Sequence, residues 1–526
     1  MEYILVFDAG TGSVRAVLFD TAGTQVASSQ VEWTHLEDLR FPGSMDFDVS
    51  KNWGIIQTCI SQVLAQSAID PKDIKAISAT SMREGFVLYD ANGREIWACA
   101  NVDARAMEEA KKLKNTDPDL EKKLYELSGQ TFALGALPRL LWIKNNQPAV
   151  YEQINYLTMI NDWILFKLTN KLQVDPSNGC TTGLFDLKNR AWTPAIAEAC
   201  QLKSNIFPPV NEAGELLGVI PESIASSTGL AKGTAVVSGG GDAQLASVGV
   251  GAIKEGQTFI CGGSFWQQEI NIKAPIVDSH NRIRVNCHAV PELWQIETIA
   301  FFPGLVMRWF RDAFCETEKL ESAQTGRDAY EILEEKAKDV PVGSNGIIPI
   351  FSDVMDYISW RHAAPSFLNL TLDPNKTGKK EMFKSIQENA ALVTYGNLKI
   401  VEEVTGHYPK EAIFAGGGSK GKLWSQTLAD VLGIPVKVPV EKEAAALGTA
   451  IMAGLGVGLF PSLESAITNL VKWERIHYPN QENHQKYLSI YENWRKVYGE
   501  QLKLADSGKT NHMWIAPGLT VKFERG

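Results

Sequence analysis

The chain has 526 residues, of which 44% are hydrophobic and 21% charged, as in ordinary globular proteins. At about 150 residues per domain the length predicts roughly three domains and excludes a single hydrophobic core. The 51 Lys+Arg and 61 Asp+Glu give a net charge of −10. This balance argues against nucleic acid or an anionic membrane as a partner, but it leaves room for one nucleotide in a local pocket.

The seven cysteines are widely spread and form no C-x-x-C pair, so no zinc ribbon or thioredoxin-type site is indicated and a cytoplasmic setting is expected. The N-terminal MEYILVFDAG has no basic segment, so we do not expect a signal peptide. No apolar run reaches about 18 residues, so we expect no membrane span. The eight histidines show no zinc-binding spacing.

In chain order, the first elements are two strands, Tyr3 to Asp8 and Val14 to Phe19, joined by the tight turn GTGS. The next element is a helix with Asp48 or Ser50 as its N-cap. Its apolar face comprises Trp53, Ile56, Ile60, Val63 and Leu64.

A short strand, IKAISATS, then ends in the polar loop MREG, and a hairpin follows with Asn92-Gly93 as its turn. The segment FFPGLVMRWFRDAF indicates an amphipathic helix, and the charged tail beyond about Tyr478 is also helical in pattern. Strands alternating with helices predict an α/β layered fold.

The segment ILVFDAGTGSVRAVLF has an echo about 250 residues later, in TFICGGSFWQQEIN. Both read as strand, Gly-rich turn and strand, so each is expected to open one half of the molecule. A boundary in VGVGAIKEG, near Gly249–Gly256, predicts two similar domains, 1–250 and 251–526, with a cleft between them.

The first motif is Asp8-Ala-Gly10-Thr11-Gly12-Ser13, with Arg15 just beyond. Its backbone N–H groups and hydroxyls can face phosphate oxygens, while Asp8 can hold a magnesium ion through water. The alternative is an ordinary hairpin turn, in which Gly, Asp and Ser are common.

The second motif is Gly239-Gly-Gly-Asp242-Ala-Gln244, after the strand TAVVS. The glycines allow a ligand to approach closely, and a carboxylate at Asp242 can accept the proton of a substrate hydroxyl that attacks phosphorus. The alternative is that Asp242 is only a helix N-cap.

The third motif, AGGGSKGKL from Ala415 to Leu423, fits G-x-G-x-x-G, fits G-x-S-x-G with Ser419 as nucleophile, and nearly fits the P-loop. This one segment could thus be the dinucleotide site of a nicotinamide dehydrogenase, the nucleophile turn of a hydrolase or a phosphate-binding loop. Their common feature is a glycine turn that delivers N–H groups to a helix N-terminus, where an anion or a sugar edge can rest. About 110 residues remain after Gly416, too few for a complete dinucleotide fold.

Several polar residues are predicted at loops or strand ends and, around a cleft, could line a pocket for a polyhydroxylated substrate. They are Arg83, Glu84, Asp103, Arg105 and Asp162. Taken singly, each is typical of a solvated surface.

Taken in order, the loops DAGTGSVR, GGGDAQ, CGGSFW and AGGGSKGKLWSQTLADVLG, with EAAALGTA, resemble the FGGY carbohydrate kinases of the actin-like ATPase superfamily. The resemblance spans nearly the whole chain. SMREG, NVDARA, DPSN, FWQQ and SWRHAAPSF are similar to one branch of that family, distinct from the glycerol, xylulose and gluconate kinases.

The resemblance implies two actin-like (ribonuclease H-like) α/β domains that close on ATP, Mg²⁺ and a small polyol. Asp242 would be the general base, Asp8 the metal-holding residue, and Arg83, Glu84, Asp103 and Trp266 the substrate contacts. The residues expected at ATP are Asp8, Gly10, Thr11, Gly12, Ser13, Gly262, Gly263, Ser264, Gly304, Gly417, Gly418 and Ser419.

One departure from the family pattern is Gly263, where many relatives have Thr. Its phosphate contact would then come from the backbone and Ser264. The resemblance also implies homo-oligomers and, for some relatives, regulation by carrier proteins of the sugar phosphotransferase system. A non-catalytic actin-like ATPase is the alternative from another functional class.

Overall fold

The computed structural model describes residues 1–117, 119–441 and 443–519. The last seven residues of the predicted second domain, 520–526, lie outside this part. In the first half the strands are β1 Tyr3–Ala9, β2 Ser13–Asp20, β3 Gln25–Glu32, β4 Ile74–Ser81, β5 Phe86–Tyr89, β6 Glu95–Cys99, β7 Tyr156–Met159, β8 Phe185–Asp186, β9 Ala191–Trp192, β10 Leu216–Val219, β11 Ala235–Val237 and β12 Gly240–Gly241.

In the second half the strands are β13 Thr258–Gly262, β14 Trp266–Ile272, β15 Arg284–Cys287, β16 Trp294–Phe301, β17 Ile348–Ile350, β18 Arg361–His362, β19 Ser366–Leu368, β20 Ala412–Ala415, β21 Val436–Pro439, β22 Trp473–His477 and β23 Trp514–Ile515.

The helices are α1 Val49–Ser67, α2 Met107–Thr116, α3 Leu120–Ser128, α4 Ala136–Asn146, α5 Pro148–Gln153, α6 Ile160–Thr169, α7 Pro176–Gly179, α8 Pro194–Ala199, α9 Glu222–Thr228, α10 Asp242–Gly249, α11 Pro303–Phe314, α12 Glu316–Thr325, α13 Ala329–Ala337, α14 Lys379–Thr405, α15 Lys422–Leu432, α16 Ala444–Gly456, α17 Leu463–Leu470 and α18 Gln481–Asp506. No helix within the described ranges is long and apolar enough to cross a membrane.

Two mixed sheets organise the molecule. The described strands of the first run in the order β10-β11-β4-β1-β2-β3, with β12 beside β4, and those of the second in the order β15-β16-β14-β13-β20-β21-β22. In each, a hairpin (β1–β2 or β13–β14) is followed by a parallel neighbour of its first strand, β4 or β20. The predicted echo is therefore confirmed as a repeated sheet topology.

Local predictions in both halves of the molecule are also confirmed. Helix α1 begins after Asp48, whose side chain accepts a hydrogen bond from the Lys51 N–H, as expected of an N-cap. Strands β5 and β6 form the antiparallel hairpin, and Gly93 at its turn has a φ of 75°, a left-handed conformation that favours glycine. Helices α11 and α18 are the predicted amphipathic and C-terminal helices.

Helix α16 returns from the second half to cover the first sheet. Ala446, Leu447 and Ile451 share a buried cluster with Ile4 and Val6 of β1. A side chain at Gly448 would collide with the backbone of α10, so α10 and α16 pack in close contact. The domain limits 1–250 and 251–526 therefore stay a prediction.

Candidate active site

The turn between β1 and β2 is held from one side by the segment that follows β3. The indole N–H of Trp33 donates to the Gly10 carbonyl at 3.0 Å, and the imidazole of His35 lies 2.6 Å from the Thr11 carbonyl. The Trp33 backbone N–H donates to the Gly12 carbonyl at 3.1 Å. These three bonds fix the peptide groups of the predicted phosphate loop.

The two hydroxyls predicted to meet phosphate have side-chain partners. The Thr11 hydroxyl lies 3.0 and 3.1 Å from the side-chain amide atoms of Asn101. The Ser13 hydroxyl accepts a hydrogen bond of 3.1 Å from Gln30. Both hydroxyls are thus oriented before any ligand binds.

The carboxylates of Asp8 and Asp242 share the cleft between the halves. Burial and, next, the negative charge of Asp242 raise the pKa of Asp8 to about 7. Burial raises the pKa of Asp242 to about 6, against the opposing charge of Arg83. Asp242 begins α10, where its carboxylate accepts a hydrogen bond from the Ala243 N–H at 2.8 Å. Because burial and the charge of Asp242 both disfavour an ionised Asp8, a cation bound at Asp8 would offset this cost.

The predicted Arg-Glu pair lies beside Asp242. The Arg83 Nε is 3.8 Å from Asp242 Oδ1, and the same guanidinium forms an ion pair with Glu297. Glu84 pairs with Arg284 at 2.7 Å. The structure thus brings Arg83, Glu84 and Asp242 together, as the sequence predicted.

Glu297 and Arg284 are site residues that sequence reasoning missed. Both are fully buried and sit opposite each other on β16 and β15, while Glu269 of β14 faces Glu297 from the other side. A partial signal was present, because WQQEINI has polar residues at 267, 269 and 271 and WQIETIAF at 295 and 297, every second position of each strand.

Gln244, in the first turn of α10, is also buried, and neither its amide oxygen nor its amide nitrogen has a hydrogen-bond partner among the described residues. A Cβ added to Gly241 would approach both the Gln244 oxygen and the Arg83 side chain. Buried amides normally have partners, so Gln244 is a further candidate for substrate contact.

The second predicted phosphate loop, 262–264, meets the other predicted glycines. A Cβ on Gly304 would clash with the Gly263 carbonyl, and Cβ atoms on Gly416 and Gly418 would press on the Gly262 carbonyl. Leu305 donates its N–H to the Ser264 carbonyl at 3.3 Å. Three separate glycine segments therefore converge, which leaves their backbones open to a close-approaching ligand.

The prediction for Trp266 is corrected by its burial. Its ring stacks on Trp424 with centroids 4.9 Å apart, and its N–H donates to Thr394 at 3.0 Å. The side chain is fully buried on the α14 side of β14, and both its ring and its N–H have partners within the protein, so it is not a substrate contact. The aromatic residue that this loop exposes is its neighbour Phe265, at 48%.

Two further residues predicted to contact ligands, Asp103 and Ser419, form hydrogen bonds within the protein instead. The fully buried Asp103 carboxylate accepts from the Met45 N–H at 2.7 Å and pairs with Arg105. The buried Ser419 hydroxyl donates to the Gly416 carbonyl at 2.8 Å. Asp103 is therefore a structural brace, and Ser419 is neither a free ligand contact nor an exposed hydrolase nucleophile.

Comparison with solved structures establishes the fold class. The xylulose kinase from Rhodospirillum rubrum aligns with a TM-score of 0.84 and 21% identity, over 96% of this chain and 99% of that one. The Plasmodium falciparum glycerol kinase with ADP aligns with a TM-score of 0.82 and 18% identity, over 95% and 98%. The predicted actin-like α/β fold of two halves around a cleft is confirmed.

Sequence comparison establishes the family. The model "FGGY family of carbohydrate kinases, N-terminal domain" matches residues 3–249, and the corresponding C-terminal domain matches 272–457. The autoinducer-2 kinase of Yersinia enterocolitica is 51% identical over 519 residues, and that of Escherichia coli K12 is 50% identical over 518. Each alignment covers 98% of both chains. The chain therefore belongs to the FGGY family of carbohydrate kinases and is an ATP-dependent kinase, and its likeness to one branch of that family is confirmed.

Proposed function

We propose that the protein transfers the γ-phosphoryl group of ATP to the terminal hydroxyl of 4,5-dihydroxy-2,3-pentanedione, the linear form of autoinducer-2. The likeness to autoinducer-2 kinases over 98% of the chain supports this substrate. The observation that carries the chemistry is the position of Asp242, 3.8 Å from Arg83 and close enough to Asp8 for its charge to raise the pKa of that carboxyl. The proposed base Asp242, the substrate-binding guanidinium of Arg83 and the metal-holding carboxylate of Asp8 thus belong to one site.

Asp242 orients and deprotonates the attacking hydroxyl, which is the role that phosphoryl transfer requires of a carboxylate. Its raised pKa strengthens it as a base. Arg83 and Glu84 grip the substrate oxygens, and the backbone around Gly263 and Gly304 surrounds the phosphates. Closure of the halves excludes water, which would otherwise compete with the substrate as acceptor.

Asp8 is the residue that would hold Mg²⁺, together with phosphate oxygens. Its carboxylate feels the charge of a second one at Asp242, and carboxylate oxygens are the hard donors that Mg²⁺ prefers. When bound, the ion neutralises charge on the transferring phosphoryl group. No ready-made cluster of three or more His, Cys, Asp and Glu side chains occurs in the described part of the chain, so a site shared with the nucleotide fits best.

The test couples ADP release to a panel of acceptors that includes the pentanedione, glycerol, xylulose and gluconate. We expect the pentanedione to give the highest kcat/KM. If another polyol or ketose is the better acceptor, the chain is a family kinase of that substrate instead. If none stimulates ADP release, the proposal fails. A homo-oligomer, a carrier-protein contact and a cytoplasmic location stay predictions from the family resemblance.

A further inference from the structure

The motif DPSN, residues 175–178, begins the short helix α7 and bonds the chain just before Asp242. Asp175 is the N-cap of α7, and the Ser177 side chain is buried. The Ser177 hydroxyl donates to the Asp175 carboxylate and accepts a hydrogen bond of 3.0 Å from the Gly241 N–H. A buried serine of the first half thus holds the residue that precedes the proposed base.

The peptide group between Gly240 and Gly241 is held on both sides. Its carbonyl oxygen accepts a hydrogen bond of 3.0 Å from the Thr80 hydroxyl on β4, and its N–H is the group that donates to Ser177. The pairing of β12 with β4 adds to this hold. A side chain at Gly240 would collide with the Ser177 Oγ. Because a glycine pair leaves the backbone more freedom than other residues do, these bonds restrict a peptide plane that could otherwise rotate.

The same motif also holds the segment that leads to Arg83. The Asn178 amide donates to the Ser81 hydroxyl at 3.1 Å, and both side chains are buried. Ser81 ends β4 two residues before Arg83, and it lies opposite Gly241 in the strand pairing. One motif thus bonds both segments whose charged side chains, Arg83 and Asp242, lie 3.8 Å apart.

The direction of the Asp242 carboxylate depends on this backbone. Gly241 is the N-cap of α10 and Asp242 is its first residue, so the carboxylate leaves the chain directly after the held peptide. A general base must lie within hydrogen-bond distance of the proton that it removes, and a displacement of about 1 Å can lower a rate about 10²-fold. A change in the held peptide should therefore act on the rate of transfer more than on nucleotide binding.

Building on the role of Asp242 proposed above, we propose that Ser177 and Thr80 are positioning residues that aim the Asp242 carboxylate at the attacking hydroxyl. They act by fixing the Gly240–Gly241 peptide, and both are buried with their hydroxyls bonded within the protein. Asp175 accepts the O–H of Ser177, which leaves a lone pair of that oxygen for the peptide N–H. Loss of either hydroxyl should thus act through Asp242.

The test is a double-mutant cycle between Ser177→Ala and Asp242→Asn, measured with the acceptor that the wild-type protein phosphorylates best and with radiolabelled ATP to resolve low rates. In the wild-type background Ser177→Ala should lower kcat about 10- to 100-fold and leave the KM for ATP within about threefold. In the Asp242→Asn background the same change should lower kcat less than about threefold, because no base is left to aim. A general loss of structure would lower kcat in both backgrounds alike.

Thr182→Val is the matched control. The Thr182 hydroxyl is buried just after α7 and, like that of Ser177, accepts a backbone N–H, from Leu184 at 3.1 Å. It donates to the Gly179 carbonyl at 2.7 Å, and both partners lie outside the transfer site. We expect this variant to unfold at a lower temperature but to keep kcat within about threefold of wild type.

An equal loss of kcat in both backgrounds, or a loss below about threefold in the wild-type background, overturns the inference. If Ser177→Ala does not fold, Thr80→Val decides, because it keeps the shape of the side chain and should lower kcat about fivefold or more in the wild-type background alone. Thr80 also stands opposite Asp8 in the pairing of β1 with β4. A loss in Thr80→Val that persists without the base would therefore arise at the metal site and would contradict the inference.

The cycle also separates this inference from the function on which it rests. Near-normal kcat in Asp242→Asn itself refutes the proposed base, and the positioning role with it. A protein that phosphorylates no acceptor of the panel refutes the proposed function as well. A large loss in Asp242→Asn together with equal effects of Ser177→Ala in both backgrounds refutes the positioning role alone.

Discussion

The hairpins β1–β2 and β13–β14 occupy the same place in the two sheets and carry turns of the same length, but they differ in charge. In the first, Asp8 stands opposite Arg15. At the corresponding place in the second, Cys261 stands opposite Gln267. At this place next to the turn, the first hairpin has a carboxylate and an arginine, whereas the second has two neutral side chains.

The faces beneath the two turns differ as well. Continuing from Asp8, the first hairpin presents Val6 and Ile4 to a buried apolar cluster. Continuing from Gln267, the second carries the buried polar residues Glu269 and Asn271 on that face. The inner face is thus apolar in the first hairpin and polar in the second. We expect this backbone motif, used twice, to have two tasks, with the first hairpin holding the metal through Asp8 and the second contacting the phosphates through its backbone.

The largest expected effect is at Asp242, which lies outside both hairpins. We expect its action as a base to require the metal and phosphate contacts that the two hairpins provide. Asp242→Asn keeps the shape and removes the base, so kcat should fall about 10²- to 10⁴-fold. ATP binding, measured by calorimetry, should be nearly unchanged. Near-normal turnover would contradict the role as base.

The comparison itself is tested by Asp8→Asn and Cys261→Ala, substitutions at equivalent places. Loss of the carboxylate should lower kcat/KM for ATP about 10- to 100-fold, the weight of one hydrogen bond to a charged group, and raise the Mg²⁺ concentration needed for half-maximal rate. Cys261→Ala should change kcat/KM less than about threefold. Equal effects of the two variants would show that the hairpins do not divide their tasks in this way.

The raised pKa of Asp8 makes a prediction about stability without nucleotide or metal. Since the native state holds this proton up to a pH of about 7 and the unfolded state releases it near its ordinary pKa, the free energy of unfolding should fall as the pH rises from about 4 to 7. Asp8→Asn should therefore be more stable than wild type at pH 8, by about 1 kcal/mol, and gain little at pH 4. Urea unfolding in the presence of a chelator measures both values. An identical pH dependence in the two proteins would refute the burial of this charge.

The smallest effect is expected from Gly263→Thr, which gives the second turn a hydroxyl comparable to that of Thr11. Among the described residues an added Cβ would meet the Phe265 carbonyl at an ordinary 3.4 Å, so this position has room for a Cβ. The KM for ATP should fall by up to about threefold, the effect of one neutral hydrogen bond. A rise in KM with unchanged stability would show that the hydroxyl has no place at the phosphates here.

The elements that the sequence predicts correctly depend on neighbours along the chain. The N-cap at Asp48, the turn at Gly93 and the two hairpins follow from local hydrogen bonding and backbone preference. The residues Glu269, Glu297 and Arg284 escaped prediction because their pairing joins three strands and two halves of the molecule. The alternation of polar and apolar residues along these strands was visible in the sequence. Without knowledge of the tertiary partner Arg83, such a pattern indicates an ordinary strand with one face exposed to solvent.

The error at Trp266 has a simple geometric origin. Successive strand residues point to opposite faces, so a shift of one position in matching a motif moves a side chain from the cleft to the core. Trp266 packs under α14, whereas Phe265 is exposed. Asp103 illustrates a different limit, because a buried carboxylate that braces a loop and one that binds a substrate have the same signature in sequence.

The return of α16 to the first sheet makes the two halves mutually dependent for folding. A fragment that stops at residue 250 would leave the apolar surface around Ile4, Val6 and Phe19 open to water, and such surfaces promote aggregation. Co-expression of the remaining chain would supply the missing helix. The molecule is thus a candidate for split-protein complementation, with the reappearance of phosphoryl transfer as the signal that the fragments have met.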